Sequence, residues 1–313
     1  MNKNALVIGA TGLLGYGVAS ALNKTGWKVR AISDKSLIDT HIFSDEIEYV
    51  CGDFYDEKFL KNVLFGIDKV FYFLSSTFPS TSANSLEFEI SRTIRGLDYL
   101  LRMMKEMNVP EIVFPSSGGT IYGSVFSGGV KETDKIQPIT PYGMGKKMCE
   151  EVLEFYSLQG ISSTILRVGN VYGSPFARTT TQGVIDVFAQ KAVSGEEATI
   201  WGDSLTNIRD YIFLDDFSCA VAKIANYKVN GVEIYNLSSG IGTSLKEIIL
   251  CINKYSEKPL KVKYIDNNST SSIKRIVLDM EKFKNKTGWN PQFSIEDGIL
   301  ETINRKKKIQ LII

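Results

Sequence analysis

The chain has 313 residues, long enough for about two domains, with 43% hydrophobic and 23% charged residues. That composition excludes a disordered tail, a fibre and a small disulfide-stapled scaffold, and it predicts a substantial buried core. The 36 Lys+Arg against 35 Asp+Glu give a formal net charge of +1, which argues against electrostatically driven nucleic-acid binding.

Four cysteines (Cys51, Cys149, Cys219 and Cys251) lie far apart with no metal-type pairing, so reduced thiols in a cytoplasmic protein are expected. The single histidine, His41, sits in a polar stretch between two predicted strands and reads as a solvated loop residue. No zinc site, Ser-His-Asp triad or Cys-His nucleophile is expected. Proton transfer must then fall to a carboxylate, Tyr, Lys or Cys. No apolar run approaches about 20 residues, so no membrane span is predicted. The opening MNKNALVIGATGLLG lacks the pattern of a signal peptide. The basic, then apolar, end from Arg305 to Ile313 reads as a solvated helix face with a docked or frayed terminus.

In chain order, Ala5 to Gly9 is an apolar run bounded by glycine and predicts a buried strand. Leu13 to Lys24 has helical spacing, with Leu14, Val18, Ala21 and Leu22 on one side. Strands are predicted at Lys28 to Ser33, Ile47 to Cys51, Lys69 to Leu74, Glu111 to Pro115 and Ser163 to Val168. Helices are predicted at Phe59 to Leu64, Ser91 to Met107 and Tyr142 to Leu158. Such alternation implies a doubly wound α/β fold of the Rossmann type, a parallel sheet covered on both faces. After Arg167 the alternation loosens. The reading is a dinucleotide-binding domain over 1–168. Residues 169–313 read mainly as a smaller interleaved α/β substrate-binding lobe, with some segments returning to the first sheet.

The first strand runs into Gly9-Ala10-Thr11-Gly12-Leu13-Leu14-Gly15, a G-x-x-G-x-x-G loop opening a helix. Glycines let the backbone approach a pyrophosphate, and the helix N-terminus supplies free N–H groups and partial positive charge. Position after a strand and before a helix is the context that makes this a dinucleotide site and not a structural turn. The second strand should end in an acid that binds the adenosine ribose, about 20 residues past the loop. Asp34 is there, preceded by Ser33. An acid disfavours a 2′-phosphate, whereas a serine flanked by Arg30 and Lys35 suits one. NAD is the expected cofactor, with NADP as the alternative. Asp53 and Phe54, in Cys51-Gly52-Asp53-Phe54, follow the third strand where adenine would lie; a helix-capping Asp53 is the competing reading.

Tyr142-Gly143-Met144-Gly145-Lys146 puts a tyrosine and a lysine four apart, on one helix face. A free tyrosine titrates near ~10, and an adjacent ammonium favours its ionised form. Such a pair suits alcohol–ketone interconversion. Upstream, the fifth strand ends in Pro115-Ser116-Ser117-Gly118-Gly119-Thr120-Ile121-Tyr122-Gly123. Hydroxyls at the carboxyl end of a parallel strand point into the ligand crevice; a Ser/Gly turn without chemistry is the alternative.

The glycine loop, SSGGTIYG, YGMGK and Arg167-Val168-Gly169-Asn170-Val171-Tyr172-Gly173, in this order, resemble the extended short-chain dehydrogenase/reductase family. Within it the chain resembles the nucleotide-sugar epimerases, dehydratases and reductases, through Trp289-Asn290-Pro291. The resemblance implies that Tyr142 is the acid–base, that Lys146 orients the cofactor ribose and assists Tyr142, and that a hydroxyl of the SSGGT segment helps. The family's usual position for that hydroxyl is Gly118 here, so Ser117 is the first choice and Thr120 the second. Leu74, Ser75 and Ser76 stand where the family packs small residues over the cofactor, and Thr93 stands where it has a helix asparagine before Gly96.

The resemblance also puts the Val168 backbone near the nicotinamide and Asn170 against the substrate diphosphate. Gly202-Asp203 and Arg209-Asp210 look like the family's phosphate-binding element, with Arg209 gripping phosphate oxygens. A surface Arg209–Asp210 pair is the plain alternative. Arg275 reads equally as a second phosphate arginine or a solvated charge. A 4,6-dehydratase needs an acid pair beside the catalytic hydroxyl, and Gly118 and Gly119 stand there. What remains is a 4-epimerase of a UDP-hexose or UDP-N-acetylhexosamine, a 4-ketoreductase of a nucleotide 4-keto-6-deoxy sugar, or a non-catalytic binding protein. The motif set favours the epimerase. A homodimer paired through the Ser91–Met107 and Tyr142 helices is also implied.

Overall fold

A computed structural model describes residues 3–34, 43–75, 85–124, 128–176, 183–201, 205–265 and 273–310. His41, Ser76 and the Gly202-Asp203 pair lie outside these residues. The chain runs β1 (Asn4–Ile8), α1 (Leu13–Lys24), β2 (Lys28–Ser33), β3 (Glu48–Cys51), α2 (Glu57–Leu64), β4 (Lys69–Tyr72), α3 (Leu86–Glu106), β5 (Glu111–Ser117), α4 (Pro141–Ser157) and β6 (Ser162–Val168). It continues through β7 (Asn170–Tyr172), α5 (Val184–Ser194), β8 (Glu197–Trp201), β9 (Ile208–Phe213), α6 (Leu214–Ile224), β10 (Val232–Leu237) and β11 (Gly242–Ser244). It closes with α7 (Leu245–Tyr255), β12 (Lys261–Ile265), α8 (Glu281–Thr287) and α9 (Ile295–Gln310).

One sheet of seven strands has the order β10-β6-β5-β4-β1-β2-β3. Its β2–β3, β1–β2, β1–β4 and β4–β5 pairings are parallel. This is the doubly wound α/β arrangement that the alternation of strands and helices predicts. A three-stranded sheet, β11-β9-β7, and a β12–β8 pair make up the rest.

The element ends differ from expectation for identifiable reasons. α3 starts at Leu86, a turn and a half before Ser91, because Ser85 accepts the Phe88 N–H at 3.2 Å and Glu87 and Glu89 load the first turn. β5 continues past Pro115 to Ser117. β4 ends at Tyr72, before it reaches the level of Pro115, so the missing proline N–H costs no ladder bond on that side.

The chain divides into two compact units, each assembled from three segments. The first comprises 1–121, 138–167 and 217–235; the second comprises 122–137, 168–216 and 236–313. The core of the first packs Leu6, Ile8, Val70, Leu97, Leu100 and Phe114 between sheet and helices. That of the second gathers Tyr172, Phe188, Phe213, Ile248, Ile252 and Ile299.

Two buried ion pairs brace the first unit. Arg167 on β6 meets Glu150 on α4 at 2.8 Å, with side chains 3% and 5% exposed. Lys69 meets Glu111 at 2.8 Å and also donates to the Ala225 and Tyr227 carbonyls. In the second unit the basic end of the chain corrects the expectation of a solvated face. Lys306 is 2% exposed and donates to the Ser174 and Phe176 carbonyls beside Asp186. Arg305 bridges Asp215, Glu301 and the Gly173 carbonyl. The charged heads of both residues donate to carbonyls of this loop, which is why these two turn inward.

Candidate active site

β1 delivers the chain into the glycine loop, and each glycine there is dictated by space. Gly9 has φ +78°, and a Cβ on it would lie 2.8 Å from the Phe73 backbone. A Cβ on Gly15 would lie 2.3 Å from the Gly9 carbonyl oxygen, and one on Gly12 3.3 Å from it. Gly9 and Ala10 both donate to the Ile32 carbonyl, tying the loop to the end of β2. α1 then begins at Leu13 and Leu14 with no side-chain cap and no acidic residue in its first turn. Its free N–H groups and dipole suit an anion. A cradle without side chains at an uncapped helix start fits a dinucleotide pyrophosphate.

At the end of β2, Thr11 Oγ1 and Ser33 Oγ are 2.8 Å apart, and Ser33 Oγ donates to Asp34 Oδ1 at 3.3 Å. Asp34 is exposed. Arg30 does not flank this site as a spare cation. Its guanidinium is held by Glu48 at 2.9 Å and by the Val63 and Phe65 carbonyls. The cap of α2 is Asp56, which accepts the Phe59 N–H; Asp53 closes the preceding turn by accepting the Tyr55 N–H at 2.9 Å. The Phe54 ring belongs to the core, packed on Tyr55, Tyr72 and Tyr99, which leaves its main chain for a ligand. Leu74 and Ser75 follow β4 as exposed residues.

The same unit brings together Tyr142, Lys146, Ser117, Gly118 and Thr120. Thr140 caps α4 by accepting the Gly143 N–H at 3.1 Å, with Pro141 in the first helical position. The helix therefore starts just before Tyr142. Lys146 is 6% exposed, and its Nζ donates to the Pro115 carbonyl at 2.9 Å. That ammonium lies 5.7 Å from the Tyr142 ring centroid and 4.8 Å from that of Phe114. Thr120 Oγ1 donates to Ser117 Oγ at 2.8 Å, so the two hydroxyls form one bonded pair with the Ser117 proton left to donate. Gly118 beside them is buried.

Sequence reasoning missed what locks α4 against the turn after β5 and against α3. A Cβ on Gly143 would lie 2.8 Å from the Thr120 carbonyl, and one on Gly145 2.9 Å from Glu89 Cγ. The two glycines of YGMGK are thus close-approach positions. Thr140-Pro141 carried a readable signal, a capping residue followed by proline at the start of a helix.

In the second unit, Val168 ends β6, and the Asn170 side chain donates to the Asp210 carbonyl at 3.0 Å. Arg209 donates to the Ile208 and Ile273 carbonyls, engaging two of its five N–H groups. Arg275 lies on a strand segment bridged to Ile208. Asp210 makes no surface pair with Arg209. It is 1% exposed and accepts from the Ser238 and Ser239 hydroxyls and from the Ser239, Gly240 and Leu278 N–H groups. Strand alternation sends neighbours to opposite faces, which a sequence reading of an Arg-Asp pair overlooks. Among the described residues no His/Cys/Asp/Glu cluster suits a metal, and no helix is long and apolar enough to cross a membrane.

The sequence pattern of the NAD dependent epimerase/dehydratase family matches residues 5–238. The chain belongs to that family. It is an enzyme class within the extended short-chain dehydrogenases/reductases, and its cofactor is NAD. A putative UDP-glucose 4-epimerase of Methanocaldococcus jannaschii is 28% identical over 304 residues, covering 96% of this chain and 98% of that one. A dTDP-4-dehydro-6-deoxyglucose reductase of Escherichia coli is 29% identical over 234 residues, covering 74% and 73%. The crystal structure of a Thermotoga maritima UDP-glucose 4-epimerase with UDP-glucose superposes with a TM-score of 0.87 at 27% identity, covering 97% of this chain and 99% of that one.

Proposed function

We propose that the chain is an NAD-dependent nucleotide-sugar 4-epimerase that acts on a UDP-hexose or UDP-N-acetylhexosamine through a 4-keto intermediate. The observation that carries this reading is the Lys146 ammonium, fixed to the Pro115 carbonyl beneath Tyr142, with the Ser117–Thr120 hydroxyl pair on the same strand end.

Bound NAD supplies reversible hydride acceptance at the sugar C4. Tyr142 takes the 4-hydroxyl proton as the sugar is oxidised and returns it once the ketone has turned its other face. Lys146, held by the Pro115 carbonyl, keeps its ammonium beside the Tyr142 ring in the interim. The Ser117 proton is positioned to hydrogen-bond the C4 oxygen throughout, while Thr120 fixes the Ser117 rotamer. The Gly9–Gly15 loop, with Thr11, Leu13 and Leu14, would hold the pyrophosphate. Asp34 and the Asp53–Phe54 main chain would hold the adenosine, and Leu74, Ser75 and Val168 would border the nicotinamide side. Asn170, Arg209 and Arg275 would take the substrate diphosphate. Two copies would pair through α3 and α4, whose Ile94, Met148, Val152 and Phe155 line a shallow apolar surface with Phe155 60% exposed.

Near-full coverage by the Methanocaldococcus relative supports the epimerase. The Escherichia coli relative supports a second reading, a 4-ketoreductase of a 4-keto-6-deoxy sugar, because the same Tyr142 and Lys146 would serve a single reduction. Purified protein incubated with UDP-glucose, UDP-N-acetylglucosamine and a dTDP-4-keto-6-deoxy sugar, with and without NADH or NADPH, separates them. The epimerase predicts an altered UDP-sugar with no net cofactor consumption. Stoichiometric oxidation of reduced cofactor on the keto sugar alone would sink it in favour of the reductase.

A further inference from the structure

We infer that Glu89 is a positioning residue for Lys146: its buried side chain lies across Gly145 and sets how deep the turn of α4 that carries the lysine can sit. The inference rests on the proposed roles of Tyr142 and Lys146, and it gives α3 a part in placing them.

Glu89 stands in the first turn of α3 and is 0% exposed. Taking a carboxyl group out of water is costly unless donors and close packing hold it. The helix start favours an acid at this place. One turn on, Thr93 Oγ1 donates to Glu89 Oε1 at 3.0 Å. A threonine hydroxyl has one proton, and Thr93 spends it on Glu89. The position where the family has an asparagine therefore serves here to hold the Glu89 side chain.

The held side chain meets α4 where α4 has none of its own. From the Cβ position of Gly145, Glu89 Cγ is 2.9 Å, Oε1 3.1 Å and Cδ 3.5 Å away. Three atoms of one side chain at that range mean that it lies along the Gly145 backbone. Full burial and the bond from Thr93 leave it little room to swing aside. Cys149, four residues on and so on the same side of α4, is also buried. Burial pushes its thiol up to about 12, so it packs as a small neutral group beside the same seat.

Lys146 follows Gly145 directly, and its place has little slack. Its Nζ donates to the Pro115 carbonyl at 2.9 Å, 4.8 Å from the Phe114 ring centroid and 5.7 Å from that of Tyr142. Any lift or slump of α4 at Gly145 passes straight to that ammonium. Reacting groups displaced by even about 1 Å lose much of their rate.

The test compares Glu89→Gln, Glu89→Ala, Gly145→Ala and the Glu89→Ala/Gly145→Ala double variant of the full-length protein. It measures kcat and KM with UDP-glucose and UDP-N-acetylglucosamine, and the emission of bound NADH. Glu89→Gln should stay within about twofold of the unmutated protein, because the amide keeps the shape and still accepts from Thr93. Glu89→Ala and Gly145→Ala should each lower kcat about tenfold with little change in KM. The double variant should fall no further than Glu89→Ala alone, since the added methyl then meets no side chain. Three results would overturn the inference: Glu89→Gln falling as far as Glu89→Ala, losses that multiply in the double variant, or KM rising as much as kcat falls. Absence of sugar turnover by the unmutated protein would overturn the epimerase reading instead. The same order of the variants in bound-NADH emission, or its absence, would then decide the role of Glu89.

Discussion

At the scale of single residues, the site turns on how few groups have a free valence. Lys146 is fixed by one carbonyl, Ser117 by one threonine, and Ser33 lies in hydrogen-bond contact with Thr11 and Asp34. In the proposed reaction Tyr142 is the group that moves the proton. Tyr142→Phe should lower turnover by roughly 10² to 10⁴-fold, the usual contribution of a positioned acid–base. NAD⁺ affinity should stay near that of the unmutated protein, because the glycine loop and Asp34 are untouched. Single-turnover sugar oxidation alongside NAD⁺ titration checks both. Unimpaired turnover would remove Tyr142 from its role. These residue types were legible in the sequence, since YGMGK and SSGGT name them. Which hydroxyl leads was not legible, because that depends on a 2.8 Å contact across a turn. The inward turn of Asp210 was hidden for a similar reason: its partners Ser238, Ser239, Gly240 and Leu278 lie far away in sequence and carry no motif.

At the scale of elements, α4 is held at both ends of its working stretch. Thr140 and the two glycines set its start, and the Arg167–Glu150 pair sets its depth one turn below Lys146. Gly143→Ala places a methyl 2.8 Å from a backbone carbonyl that no side-chain rotation can relieve. The expected cost is about 1–3 kcal/mol of stability, together with a drop in kcat larger than any change in KM. Denaturant midpoints and steady-state kinetics on the one variant read both. At α7, Ser244 and Glu247 form a reciprocal capping box. Hydrogen bonds from Ser244 hold the Glu247 carboxyl below its ordinary value. A lowered carboxyl contributes stability that is present above the ordinary carboxylate range and lost as pH falls through the folded value. Glu247→Gln should therefore cost roughly 0.5 kcal/mol at neutral pH. The difference should close in acid, which thermal melts at two pH values would show. Helix and strand order in the first half was readable from periodicity alone. The early start of α3 and the extension of β5 were not, because a serine cap and the end of a neighbouring strand decide them.

At the scale of the whole molecule, the chain passes from one unit to the other five times, at 121/122, 137/138, 167/168, 216/217 and 235/236. The loosening of the strand–helix alternation after Arg167 points to a second lobe but cannot divide the chain so finely, because only folded contacts show that 217–235 joins the first unit. A fragment comprising 1–168 would lack β10 and leave β6 as an unpaired sheet edge. It should be far less soluble than the full chain and bind NAD⁺ weakly. A monodisperse 1–168 with native cofactor affinity would refute this. Lys69 carries a related lesson in time. Two of its partners are the carbonyls of Ala225 and Tyr227, more than 150 residues downstream. During synthesis this lysine waits as the chain lengthens, because residues arrive at about 5–20 per second. The first unit cannot complete its sheet until some three-quarters of the protein has been made. For that interval the growing chain carries a sheet that still lacks its last strand.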